Sequence, residues 1–255
     1  MQLIDSHCHI YADTFDGDRP AMIERALEAG VGKMLMPAID TETHAAMIAL
    51  EKSYPGVCYP MMGLHPCSVK ENFEEELAVI DQYFAERKFV AVGETGLDFY
   101  WDLSFREQQV IAFQRQINLA LKRDIPVVIH SRESTDECIE MIRKSQNGRL
   151  KGVFHCFGGS LEQARQITEL GFFLGIGGVL TFKKAGLDLV IKEVDLKHVI
   201  LETDAPYLAP APFRGKRNEC SYLRYVAEKL ADIKEMSVEQ LATITTANAQ
   251  SLFSI

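Results

Sequence analysis

Eight short apolar runs alternate with helix-forming segments along this chain, and that alternation limits the folds open to it more than any other feature. The runs end at Ser6, Met36, Met62, Gly93, Ile129, Phe154, Leu174 and Leu201. Helical periodicity or composition marks 19–29, 42–52, 73–86, 105–122, 135–144, 160–170 and 185–192, and two more segments, 222–231 and 238–252, follow the last run. Asp16 or Asp18 can cap the first helix, and Ser104 with Glu107 and Ser237 with Gln240 read as capping boxes. Glycine or proline closes many segments, as at Gly30, Pro55, Pro126, Gly148 and Gly171. Near-continuous apolar stretches such as Val127-Val128-Ile129 and Val199-Ile200-Leu201 suit strands buried on both faces. Eight such units in 255 residues predict a (β/α)8 TIM barrel, a single domain spanning 1–255. A doubly wound sheet would place a glycine-rich loop after the first strand. That position holds Ser6-His7-Cys8-His9-Ile10-Tyr11, with no glycine before Gly17.

Composition narrows the function classes. The chain carries 36 acidic against 27 basic side chains, a net charge of −9, which argues against an extended basic face for duplex binding. It leaves room for a nucleic-acid substrate handled locally by a few cations. No stretch approaches the ~20 apolar residues of a membrane span, and Asp5 with two histidines interrupts any signal-peptide core. A cytoplasmic, membrane-free protein is therefore expected. The six cysteines are scattered without a CxxC pair, so neither a zinc knuckle nor a disulfide framework is indicated.

The chemistry lies at the strand ends. His7 and His9 share one face if the backbone is extended. His65 follows the third run, Glu94 the fourth, His130 the fifth and His155 the sixth, while Glu202 and Asp204 follow the eighth. His44 falls in a helix and His198 starts a strand, so five of the seven histidines belong to this set. Barrel active sites sit at the C-terminal ends of the strands. Imidazoles and carboxylates gathered there point to a metal-dependent hydrolytic site.

The stretches IDSHCHI, GLHP, VGETGLDFYWD, VIHSRES, HCFGGS, LETDAPYLAP, RGKRNE and TTANAQSLF resemble the TatD-type metal-dependent deoxyribonucleases, within the amidohydrolase-like barrels. They run from residue 4 to residue 253. Cys67 stands where the family often has a polar residue, and Cys220 where it often has proline. The resemblance implies two divalent ions, with His7, His9 and Asp204 on one, His130 and His155 on the other, and Glu94 bridging. Zinc, magnesium and manganese all suit such ligands. Two ions ~3.5–4 Å apart stabilise the attacking and leaving oxygens of a phosphodiester displacement. Asp204 would orient or deprotonate the attacking water.

The remaining residues each carry two readings. His65 contacts the scissile phosphate or protonates the leaving oxygen, or else packs structurally against Pro66. Arg132 clamps phosphate or makes a surface ion pair. Glu202 backs a ligand histidine or is a core-edge carboxylate. Tyr100, with Phe99 and Trp101, stacks on a base or anchors a lid. Arg214 and Arg217 belong to the densest basic cluster, which contacts backbone phosphates or is solvated. The expected substrate is DNA, from a single-stranded end, with RNA possible, and the expected state is a monomer. An ester or amide hydrolase on the same frame, such as an aminoacyl-tRNA deacylase, is the competing reading.

Overall fold

The computed structural model, which describes residues 2–255, alternates strand and helix from its first turn to its last. In order come β1 (Leu3–Asp5), α1 (Arg19–Glu28), β2 (Val31–Pro37), α2 (Thr41–Ser53), β3 (Cys58–Met61), α3 (Phe73–Glu86), β4 (Val92–Asp98), α4 (Arg106–Arg123) and β5 (Val127–Arg132). Then follow α5 (Thr135–Ser145), β6 (Gly152–Phe154), α6 (Leu161–Glu169), β7 (Phe173–Ile176), α7 (Leu187–Glu193), β8 (Val199–Leu201), α8 (Leu223–Ile233) and α9 (Val238–Phe253). All ladders are parallel: β1-β2-β3 form one continuous run and β4 to β8 another. Parallel bridges Met62–Val92 and Cys8–Ala205 join the two runs at both seams and close the (β/α)8 barrel.

One residue from each strand or its approach faces the lower lumen: Ile4, Leu35, Met61, Ala91, Val128, Val153, Phe173 and Ile200 pack together. Ala249, Leu252 and Phe253 of α9 complete this layer. Asn248 Nδ2 donates to the carbonyls of Leu196 and Val199, and Thr246 Oγ1 to that of Gln2, which holds α9 across the N-terminal mouth. The C-terminal mouth stays open for side chains.

The sequence-based boundaries needed correction where glycine imitates a turn. The fourth strand does not stop at Gly93. It continues to Asp98, with Thr95 to Asp98 paired against Ile129 to Arg132, so β5 is also longer than expected. Gly96 sits there at φ 137°, where a Cβ would lie 2.1 Å from the His130 carbonyl oxygen. Glycine is thus a requirement of close strand approach. The Ser237–Gln240 capping box forms. The Ser104–Glu107 box does not, because α4 starts at Arg106 and the Ser104 N–H donates to Asp102 Oδ1. Asp18 precedes α1 without capping it; its carboxylate instead faces Arg25 and Arg217.

Candidate metal centre

The strand ends bring His7, His9, His65, Glu94, His130, His155 and Asp204 to one cup. Glu94, 2 % exposed, lies at its middle. Its Oε2 is 3.1 Å from His7 Nε2 and 3.6 Å from His9 Nε2. Its Oε1 is 2.9 Å from both His130 Nδ1 and His155 Nε2, and 3.4 Å from His65 Nε2. Each carboxylate oxygen thus serves a separate imidazole set. Asp204 Oδ1 stands 3.9 Å from His7 Nε2 and 3.7 Å from His9 Nε2. Asp204 adopts left-handed backbone at φ 58° and donates its N–H to the His7 carbonyl, so β1 and β8 fix it jointly. Beneath them, buried Asp5 accepts the Thr203 N–H and hydroxyl and the His7 N–H, which ties the two strand tips together.

Partners behind the rings decide which nitrogen is free. His9 Nδ1 meets the Tyr11 hydroxyl at 2.9 Å, and that hydroxyl donates to the Pro37 carbonyl, so Nδ1 carries the hydrogen and Nε2 offers a lone pair. His130 Nε2 donates to Asp98 Oδ2 at 2.9 Å, leaving Nδ1 as the free donor atom towards Glu94. His155 Nδ1 lies 3.4 Å from Glu202 Oε1, which also accepts the Cys156 N–H. His65 is the reverse case. Its Nδ1 accepts the Cys67 N–H at 3.0 Å, so its hydrogen sits on Nε2, facing the cup. It is a donor there, while His7, His9, His130 and His155 present nitrogens to carboxylates.

Electrostatics divide the imidazoles: against the effect of burial, hydrogen bonds to Asp98 and Glu94 raise His130, and Glu94 with Glu202 raises His155 well above the usual range. Burial pushes His7 down to about 4 and His9 down to about 3, with neighbouring imidazoles reinforcing it, so both are neutral near pH 7. Burial opposes ionisation of Glu94, yet the imidazolium charge of His155 and the hydrogen bond from His130 hold it well below the usual carboxylate range. His7, His9 and Glu94 thus already stand in ligating form, and a cation held by His130 and His155 would have to displace their protons. His7 Nε2 and His9 Nε2 lie 3.3 Å apart. With the His9 atom a lone pair, a cation between imidazole and carboxylate fits this donor set.

Asp204 gives the pH dependence its sign. Burial pushes its carboxyl up to about 8, with Glu94 and Glu202 adding to that and His155 opposing it. Were Asp204 a ligand, a cation would need its carboxylate, and affinity measured calorimetrically would then be expected to fall as pH drops below about 8. For one displaced proton the slope approaches tenfold per pH unit. Affinity that stays flat from pH 8 to 6 would contradict this.

A cavity of about 630 Å³ opens over the centre, lined among others by Arg132, Trp101, Cys67, Tyr207 and Leu208. The Arg132 guanidinium stacks 4.0 Å over Tyr100 and 5.1 Å over Trp101. Trp101, 67 % exposed, lines the cavity, whereas Tyr100, 53 % exposed, reaches it only through its contact with Arg132. The structure does not bring Arg214 or Arg217 to it. Arg214 lies exposed over the Phe182 ring. Arg217 is held by both Asp18 oxygens at 2.8 and 2.7 Å and by the Thr14 carbonyl, and it covers Phe15. A guanidinium so committed pins the loop after β8 and is not a free phosphate contact.

Sequence reading passed over Asp98, Tyr11, Gln109 and Gln116. Gln109 and Gln116 lie two turns apart on the buried face of α4. Gln116 bonds both the N–H and carbonyl of Leu64 and the Thr95 hydroxyl, and Gln109 does the same for the Asp98 backbone. They hold the tips that carry His65 and Glu94. Amides repeated seven residues apart on an otherwise apolar helix face were the available signal.

Residues 4–254 match the family model described as TatD related DNase. An uncharacterized metal-dependent hydrolase of Bacillus subtilis, YabD, is 40 % identical over 99 % of both chains. A protein of Edwardsiella piscicida named 3'-5' ssDNA/RNA exonuclease TatD is 31 % identical over 98 % of this chain and 99 % of its own length. The crystal structure of YjjV, a TatD homolog of Escherichia coli K12, superposes with a TM-score of 0.94 at 34 % identity, covering 99 % of this chain and 98 % of that one.

Proposed function

This chain belongs to the TatD related DNase family, a metal-dependent hydrolase by its relatives, and from that premise we propose that it cleaves phosphodiester bonds of single-stranded DNA from an end. The observation that carries the reading is the divided carboxylate of Glu94, one oxygen turned to His7 and His9 and the other to His130 and His155. Two divalent cations, zinc, magnesium or manganese, would be held so: His7, His9 and Asp204 on one, His130 and His155 on the other, Glu94 between. When bound, they supply Lewis acidity, spreading the phosphodiester's charge and acidifying water.

The chain's own groups do the rest. Asp204, at the cup's mouth, orients the attacking water and takes its proton. His65 presents Nε2–H to the phosphate or to the leaving oxygen, in keeping with its Cys67-fixed tautomer. Arg132 clamps phosphate with its planar fork. Tyr100 and Trp101 offer exposed faces to unpaired bases. The net charge of −9 leaves little to hold duplex by its backbone. The named exonuclease among its relatives supports this substrate and extends it to RNA. Residues 1–255 act in this reading as one catalytic domain, a monomer of the cytoplasm. Among the described residues no helix is long and apolar enough to cross a membrane.

Substrate profiling tests the proposal. Protein stripped of metal and reloaded separately with magnesium, manganese or zinc is expected to shorten end-labelled single-stranded DNA, to leave duplex largely intact, and to stop in EDTA. Intact DNA alongside cleavage of an aminoacyl ester would replace the nuclease by the deacylase reading.

A further inference from the structure

We propose that Asp98 is a positioning residue that ties His130 to the turn carrying Tyr100 and Trp101, so that cation loading and the shape of the substrate-facing wall are set together. The inference rests on His130 being a metal ligand, as proposed above. Asp98 is 1 % exposed at the tip of β4. Its Oδ2 accepts the His130 Nε2–H at 2.9 Å. Its Oδ1 accepts the N–H of Tyr100 at 3.0 Å and of Trp101 at 3.2 Å. Gln109 clamps the Asp98 backbone from α4 through its N–H and its carbonyl, which fixes where the carboxylate points.

The turn so held closes on the tip of β5 from the other side. The Phe99 N–H donates to the Arg132 carbonyl, and the Arg132 guanidinium lies on the Tyr100 and Trp101 rings. One carboxylate therefore fixes the free nitrogen of a ligand and the seat of two exposed aromatics. The groups behind the other ligands differ. Tyr11 behind His9 bonds the Pro37 backbone, and Glu202 behind His155 bonds the Cys156 backbone. Asp98 instead reaches an exposed turn. A cation drawing on His130 Nδ1 polarises Nε2–H and strengthens its bond to Asp98. The coupling is reciprocal, so a wall ordered by substrate favours the loaded centre.

Asparagine at 98 can satisfy only one arm. With its oxygen on the two turn N–H groups, its NH2 faces His130 Nε2, and the imidazole hydrogen moves to Nδ1, where ligation is blocked. With its oxygen on His130, the NH2 confronts two N–H donors and the turn is lost.

Trp101 is the only tryptophan in the chain and sits in the turn, so its emission reads the wall directly. Metal-free full-length protein titrated with zinc is expected to change Trp101 emission along the same curve as calorimetric binding. In Asp98→Asn the affinity of one zinc is expected to fall about 10- to 100-fold, with the emission response lost. Should that variant fail to fold, His130→Gln keeps Asp98 and the turn, and its emission is expected not to follow zinc. Wild-type emission indifferent to bound zinc, wild-type affinity and response in Asp98→Asn, or a retained response in His130→Gln would each overturn the proposal. These readouts use no nucleic acid, so a failed nuclease assay leaves them standing. Absence of zinc binding altogether would overturn the metal centre and this coupling together.

Discussion

Glu94→Gln is expected to abolish metal-dependent turnover while the barrel remains folded. The side chain is buried, its two oxygens face separate imidazole sets, and those sets hold it ionised. Glutamine keeps the shape but replaces one acceptor oxygen with an NH2 donor. Whichever way the amide turns, one imidazole set meets a donor where it needs a negative oxygen. Removing one partner of a buried charged cluster costs about 3–5 kcal/mol, roughly 10²–10⁴-fold if expressed as lost cation affinity. Turnover should follow that affinity down, because the proposed centre would then be short of a cation and of its charge stabilisation. Assays at the lowest metal concentration that saturates the wild type, with circular dichroism as the control for folding, check this. Wild-type turnover in Glu94→Gln would remove the residue from the centre.

Phe253→Ala is expected to cost the largest stability of any single change proposed here, at the opposite end of the barrel. Phe253 is 2 % exposed and packs with Leu252 and Ala249 against the ring of strand residues from Ile4 to Ile200. That lumen is already lined on every side, so the neighbours cannot close in on the void. Truncating a buried phenylalanine costs about 3–5 kcal/mol. At ~2–4 °C per kcal/mol for a chain of this size, the melting temperature should fall by roughly 6–20 °C. Cation affinity should change little, since the plug and the cup lie at opposite mouths. A fall of only a degree or two in thermal denaturation would mean that α9 does not seal the barrel.

The division between what the sequence disclosed and what it hid follows chemistry. His7, His9, His130, His155 and Asp204 were legible because each lies within three residues of the end of an apolar run, and a parallel barrel turns such positions to one rim. The same rule placed Glu94, although β4 was read five residues short. Gly93 and Gly96 look like turn signals, whereas Gly96 permits the close crossing over His130. That error also hid Asp98, which received no role from the sequence and is the partner of His130. The fold class was legible from the alternation, and the superposition on YjjV agrees with it. The plug was not, because periodicity shows that α9 has an apolar face but not which opening it covers. Arg217 misled for a related reason. Its neighbours Arg214 and Lys216 suggest a basic patch, while its partner Asp18 is 199 residues away.

The most direct test is crystallographic. Crystals soaked in zinc and measured at the zinc absorption edge should show two anomalous peaks, one on each side of the Glu94 carboxylate, the first among His7, His9 and Asp204 and the second between His130 and His155. No peak at Glu94, or zinc gathered only at surface carboxylates, would contradict the account.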